Sequence, residues 1–99
     1  MFAVTRLRAP ESGADDLAAS AGALLAALAA RPGFVEGEVG RSTEDGGLWA
    51  LLTRWDGVGS YRRALSAAEV KIAGAPVWVH AVDEPGVYVD AGDGPGATS

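Results

Sequence analysis

One segment constrains the fold of this chain more than any other: Leu48-Trp49-Ala50-Leu51-Leu52-Thr53-Arg54-Trp55. Read with the two-residue period of a strand, Trp49, Leu51, Thr53 and Trp55 share one face, and Leu48, Ala50 and Leu52 share the other. Both faces are apolar, so the strand must be covered on both sides. The chain has only 99 residues. A chain this short buries roughly 60–65% of its extended surface on folding and is marginal alone. If its helices cover one side of the sheet, the second side needs another molecule.

The rest of the chain supplies the elements around that strand. Phe2–Arg8 alternates, with Phe2, Val4, Arg6 and Arg8 on one face and Ala3, Thr5 and Leu7 on the other, and Pro10 ends it. Ser12 stands as an N-cap, with Asp15 and Asp16 placed against the positive end of a helix. Leu17, Ala21, Leu24, Leu25 and Leu28 follow at helical spacing. Arg31-Pro32-Gly33 stops that helix. Phe34–Arg41 reads as a second strand, with Val35, Val39 and Arg41 on one face and Phe34, Glu36 and Glu38 on the other. Ser42–Gly47 is a hairpin loop marked by Asp-Gly-Gly. Asp56 is placed to cap a second helix, whose stripe is Val58, Tyr61, Leu65, Ala68 and Ile72. Gly74 and Pro76 break it. Val77–Val82 reads as a short helix opened by Pro76, with a strand as the alternative. Glu84-Pro85-Gly86 is a turn, and Val87–Asp90 is the last strand.

The order β-α-β-β-α-β predicts an α+β fold with a ferredoxin-like layout. Four antiparallel strands carry two helices on one face. The other face, with Leu52 on it, would pack against a second copy to give a homodimeric α+β barrel. One domain spans residues 1–91, and 92–99 form a tail rich in glycine and small residues, expected to be frayed.

Several function classes fall away. The chain has no cysteine and one histidine, His80, so thiolate chemistry and multi-histidine metal cages are excluded. The net charge is −5 with no basic run, which argues against nucleic acid. The longest apolar stretch, Ala18–Ala30, is 13 residues and carries Ser20 and Gly22, whereas a membrane span needs about 20. Met1–Arg6 lacks the long apolar core of a secretory leader, and the expectation is a cytoplasmic protein. No Gly-x-Gly-x-x-Gly, P-loop or Gly-x-Ser-x-Gly motif occurs.

The run Leu51–Leu65, LLTRWDGVGSYRRAL, resembles the antibiotic biosynthesis monooxygenase family, as does the turn Arg31-Pro32-Gly33-Phe34. The family pattern is a tryptophan closing the third strand, a helix start one residue on, and an aromatic residue one turn into that helix. Trp55, Asp56 and Tyr61 match it, and the likeness extends over roughly residues 2–90. The resemblance implies a dimeric α+β barrel and oxygenation of an electron-rich aromatic, such as a phenol or anthrone, without a cofactor. Some relatives degrade haem with an asparagine on the first strand and a tryptophan and histidine on the second helix. This chain has no asparagine, and Ala64 and Gly74 stand about where those helical residues would be. Haem degradation is therefore rejected.

Three residues are candidate catalytic groups. Trp55 would stack on a flat ring and donate its indole N–H, and Tyr61 would orient a substrate oxygen. His80 is the one side chain with an ordinary pKa near neutrality and is the candidate base. Each also has a plain structural reading as core or surface. Trp49 and Trp78 read as core or pocket wall. Arg54 reads as an interface or rim residue, and Arg6 and Arg8 as a solvated strand edge. Three activities follow from this set. The first is a cofactor-free monooxygenase. The second is a non-catalytic small-ligand-binding or structural module. The third is a cyclase or isomerase that adds no oxygen.

Overall fold

The alternating segments become strands of one antiparallel sheet, as expected. In a computed structural model that describes residues 1–92, β1 is Phe2–Arg8, α1 Ala14–Ala29, β2 Phe34–Arg41, β3 Leu48–Trp55, α2 Val58–Ser66, α3 Ala68–Trp78 and β4 Val87–Tyr88. The strand order is β2-β3-β1-β4, with β1 and β3 central. This is the ferredoxin-like α+β layout, with three helices in place of the two read from the sequence. The expected tail lies, apart from Gly92, outside the described residues.

Pairing of Ala3 with Thr53 and Thr5 with Leu51 sets which side chains meet the helices. Leu7, Leu51 and Trp55 from the sheet meet Leu17, Leu24 and Leu28 of α1 and Val70 and Val77 of α3 in one buried core. Burying each such side chain contributes about 1.5–3 kcal/mol. The hairpin between β2 and β3 closes as its composition implies. The Ser42 hydroxyl accepts from the Glu44 and Asp45 N–H groups at 3.1 Å, and an Asp45 carboxylate oxygen accepts from Gly47 N–H at 3.0 Å.

Four local readings need correction. First, the pairing of β2 with β3 slips between Phe34 and Glu36. That bulge puts Phe34 against the core beside Val39 and leaves Val35 exposed, opposite to the strict alternation. Second, the caps are glycines, Gly13 and Gly57, and neither Ser12 nor Asp56 makes a side-chain cap bond. Third, the second helix is divided. Ala67 is extended (φ −69°, ψ 138°), so α3 starts in a new phase that buries Val70, Gly74 and Val77 and leaves Ile72 76% exposed. Helix α3 runs through Gly74 and Pro76 to Trp78 instead of ending before them. Fourth, Val79–Gly86 is a strap along the free edge of β1. Val82 N–H donates to Arg6 O at 2.8 Å, Leu7 bridges Ala81, and Val4 N–H donates to Gly86 O at 2.7 Å. Between these contacts Asp83-Glu84-Pro85 turns outward, where proline has no N–H to pair. Only Val87 and Tyr88 regain strand pairing, so β4 is shorter than expected.

Candidate functional site

The junction between β3 and α2 is held by the preceding turn. Gly33 has φ +89°, open to glycine at little cost, and a Cβ there would lie 2.6 Å from an Asp56 carboxylate oxygen and collide with Ser60. The Asp56 N–H donates to Gly33 O at 2.8 Å. This contact fixes the direction in which α2 leaves the sheet. Tyr61 then falls one turn into α2.

Trp55 is 2% exposed. Its indole N–H donates to the Thr53 hydroxyl at 2.9 Å, within its own strand. Phe34 meets its ring edge-on at 5.3 Å and Tyr61 at 5.9 Å. The three rings form a packed cluster with interplanar angles that suit aromatic quadrupoles. Trp55 thus buttresses Tyr61 from behind, with its polar tip already engaged.

Tyr61 lines a cleft of about 380 Å³ bounded by Thr5 of β1, Leu65 of α2, Trp78 of α3, strap residues Ala81, Val82, Glu84 and Gly86, and Val87 of β4. That volume lies within the range of small-molecule sites, and most of the lining is apolar. Burial raises the Tyr61 hydroxyl above its ordinary pKa of 10.0, so it is a proton donor across neutral pH. Among the described residues its hydroxyl has no hydrogen-bond partner in the protein. Glu84 lines this cleft and also the hollow on the open sheet face that holds Phe2, Val4 and Arg6. Its carboxylate accepts from Arg6 Nε at 2.8 Å and from Arg6 Nη2, a bidentate pair that holds Glu84 below the usual carboxylate range.

His80 lies elsewhere. It lines a separate groove with Pro10, Asp16, Leu17, Ser20 and Pro76, and its carbonyl accepts from Arg8 N–H at 2.9 Å. The three candidates of the sequence reading therefore divide: Tyr61 lines the cleft, Trp55 supports it, and His80 is apart. Thr5, Leu65 and Glu84 complete the cleft without having been singled out as site residues, and Trp78, read from the sequence as core or pocket wall, lines it.

The open side of the sheet carries Phe2, Val4, Leu52 and Ala50, all half-buried, beside Arg6, Arg54, Glu36 and Glu38. Tyr88 stacks on Phe2 at 5.2 Å. Arg54 lies 5.1 Å over the Phe2 ring and pairs with Asp90 at 3.1 Å and Glu36 at 3.4 Å. Arg8 pairs with Asp45 at 2.7 Å, and Arg63 Nη2 donates to the Ser60 hydroxyl at 3.3 Å. No described helix is long and apolar enough to cross a membrane. Among the described residues, no three His, Asp or Glu side chains gather as a metal site.

Comparison with known proteins places this geometry. The family model for antibiotic biosynthesis monooxygenases matches residues 1–74. SnoaB, a cofactor-independent oxygenase from Streptomyces nogalater, superposes with a TM-score of 0.79 at 18% identity, covering 90% of both chains. PA3566 from Pseudomonas aeruginosa gives 0.71 at 15% identity, over 91% of this chain and 93% of that one. A conserved protein from Methanosarcina mazei Go1 gives 0.73 at 13% identity, over 87% and 84%. At these identities the structures share a fold, and no curated protein matches the sequence. The family model spans most of the chain, and on that match the chain belongs to the antibiotic biosynthesis monooxygenase family.

Proposed function

We propose that this protein is a cofactor-independent monooxygenase that takes a flat, phenol- or anthrone-like molecule into the Tyr61 cleft. The supporting observation is that Tyr61, whose hydroxyl is held protonated by burial and has no partner among the described residues, lines a largely apolar cleft of about 380 Å³. Dioxygen is a triplet and reacts slowly with closed-shell organics, so in this route the substrate supplies the electrons. An activated ring CH₂ loses a proton to give an enolate. The enolate passes one electron to dioxygen, and the two radicals join in a C–O bond. The peroxide is protonated. Loss of the second C–H proton with cleavage of O–O then leaves a carbonyl and one water. Carbon loses four electrons and dioxygen gains four. Tyr61 stabilises the enolate oxygen by donating a hydrogen bond, and the apolar walls keep that charge in a low-dielectric site. Trp55 is a positioning residue that holds the Tyr61 ring.

The functional unit in this proposal is a homodimer joined through the open sheet faces, where Phe2, Val4 and Leu52 would leave water. Light scattering checks this directly: a monomer mass in dilute solution would sink it. Oxygen uptake on a panel of anthrones and hydroquinones, with ¹⁸O₂ to trace the label, tests the chemistry. One labelled oxygen per product is expected.

A non-catalytic ligand-binding module of the same fold is the second reading. It is favoured by the engagement of Glu84 with Arg6 and by the position of His80, which leave the cleft without a free base among the described residues. No oxygen uptake across the panel, with ligand still bound, would select it. Ligand binding in the cleft unchanged in His80→Gln is expected under either reading.

A further inference from the structure

We infer that Trp78, and not Trp55, is the indole that meets the ligand, and that Gly74 is the seat on which this indole lies. The inference rests on the cleft being a ligand site and assigns one contact within it.

Two tryptophans stand near the cleft and differ in what their N–H groups are free to do. The Trp55 N–H is committed to Thr53 at 2.9 Å, and Thr53 and Trp55 are each 2% exposed. A ligand could reach it only by breaking that bond inside the core. Trp78 lines the cleft itself. Among the described residues its indole N–H has no acceptor in the protein, and it is not among the sealed, unpaired polar atoms. Indole N–H groups that are partly buried ordinarily find a partner.

Trp78 is also held in place. It follows the buried Gly74 by four residues, one turn along α3, where side chains of a helix lie over one another. A Cβ at residue 74 would lie 3.0 Å from Cδ1 and Cε2 of the Trp78 ring and nearer still to Nε1. The indole therefore rests on bare backbone, and no side chain larger than hydrogen fits beneath it. A ring pinned in this way presents one edge to the cleft at little entropic cost.

Two side chains that line the cleft carry a donor, the Trp78 N–H and the Tyr61 O–H, the latter kept protonated by burial. Glu84, which also lines the cleft, has its carboxylate paired with Arg6. A ring bearing carbonyl or phenolic oxygens offers acceptors to such donors, and a ring with only donors offers none.

The test uses the wild-type chain with ¹⁵N-labelled tryptophan and 1,4-naphthoquinone as probe. Single Trp→Phe variants assign the three indole N–H resonances. The Trp78 resonance should shift saturably while those of Trp49 and Trp55 stay in place. Trp78→Phe, which keeps a flat ring and removes the donor, should raise the Kd about tenfold, the effect of one hydrogen bond. Gly74→Ala should raise it as well by displacing the ring. Saturable shifts of Tyr61 ring resonances with the Trp78 N–H stationary, or an unchanged Kd in Trp78→Phe, would overturn the assignment and leave the cleft reading standing. No shift of any cleft resonance up to the solubility limit of the probe would remove both.

Discussion

Trp55 and Trp78 are the same residue in two different settings. Trp55 closes a central strand, is sealed in the core, and has its polar tip bonded within β3. Trp78 ends a helix, stays half-buried, lies on a glycine and lines a cleft, with no acceptor for its indole N–H among the described residues. A tryptophan whose N–H is satisfied internally adds stability, whereas one whose N–H is left open on a fixed ring can add recognition. Tyr61 joins the two regions, with its ring against Trp55 and its side chain among those that line the cleft.

The sharpest way to break this contrast is Trp55→Ala. It should cost about 3–5 kcal/mol of stability from a cavity in a close-packed core, read by urea unfolding. Trp78→Ala should cost clearly less, and equal losses would mean that both tryptophans are core. Next in size, Tyr61→Phe should lower kcat about 100-fold if its hydroxyl stabilises the enolate, with stability nearly unchanged. Thr53→Val leaves the Trp55 N–H buried without a partner and should cost about 1–3 kcal/mol, whereas binding in the cleft should be unaffected. The smallest effect is electrostatic. Burial raises the Tyr61 pKa above 10.0, so the folded chain holds that proton more tightly than the unfolded one. Its contribution is intact below pH 10.0 and declines as pH rises through the higher folded value, and Tyr61→Phe should abolish this alkaline decline. At acid pH the sign reverses for Glu84. Its contribution is present above its ordinary 4.5 and is lost as pH falls through the depressed value, and an NMR titration of Arg6→Met should show Glu84 returning toward 4.5.

Much of the fold was legible because its signals are local. The period-two patterns of β1 and β3, the Asp-Gly-Gly loop and the leucine stripe of α1 each occupy one continuous segment, and each becomes the element it predicts. The errors fall where a single residue changes phase. The bulge after Phe34 turns Phe34 inward and Val35 outward at the start of β2, and extended Ala67 rotates the stripe of α3 so that Ile72 meets solvent. Such slips depend on what packs against the segment, so sequence spacing does not reveal them.

The sequence by itself determined the order of the strands, the first helix, the double-sided demand of β3, and the placement of an aromatic pair about the junction of β3 and α2. These follow from backbone periodicity and the burial of apolar surface, which act over a few residues at a time. Only the tertiary structure decided which polar tips are free. It bonds Trp55 to Thr53, carries His80 to another groove, seats Trp78 on Gly74, and ties Glu84 to Arg6 across 78 positions of sequence. Hydrogen-bond satisfaction depends on distances between residues far apart in the chain, and those distances exist only once the sheet and helices have packed.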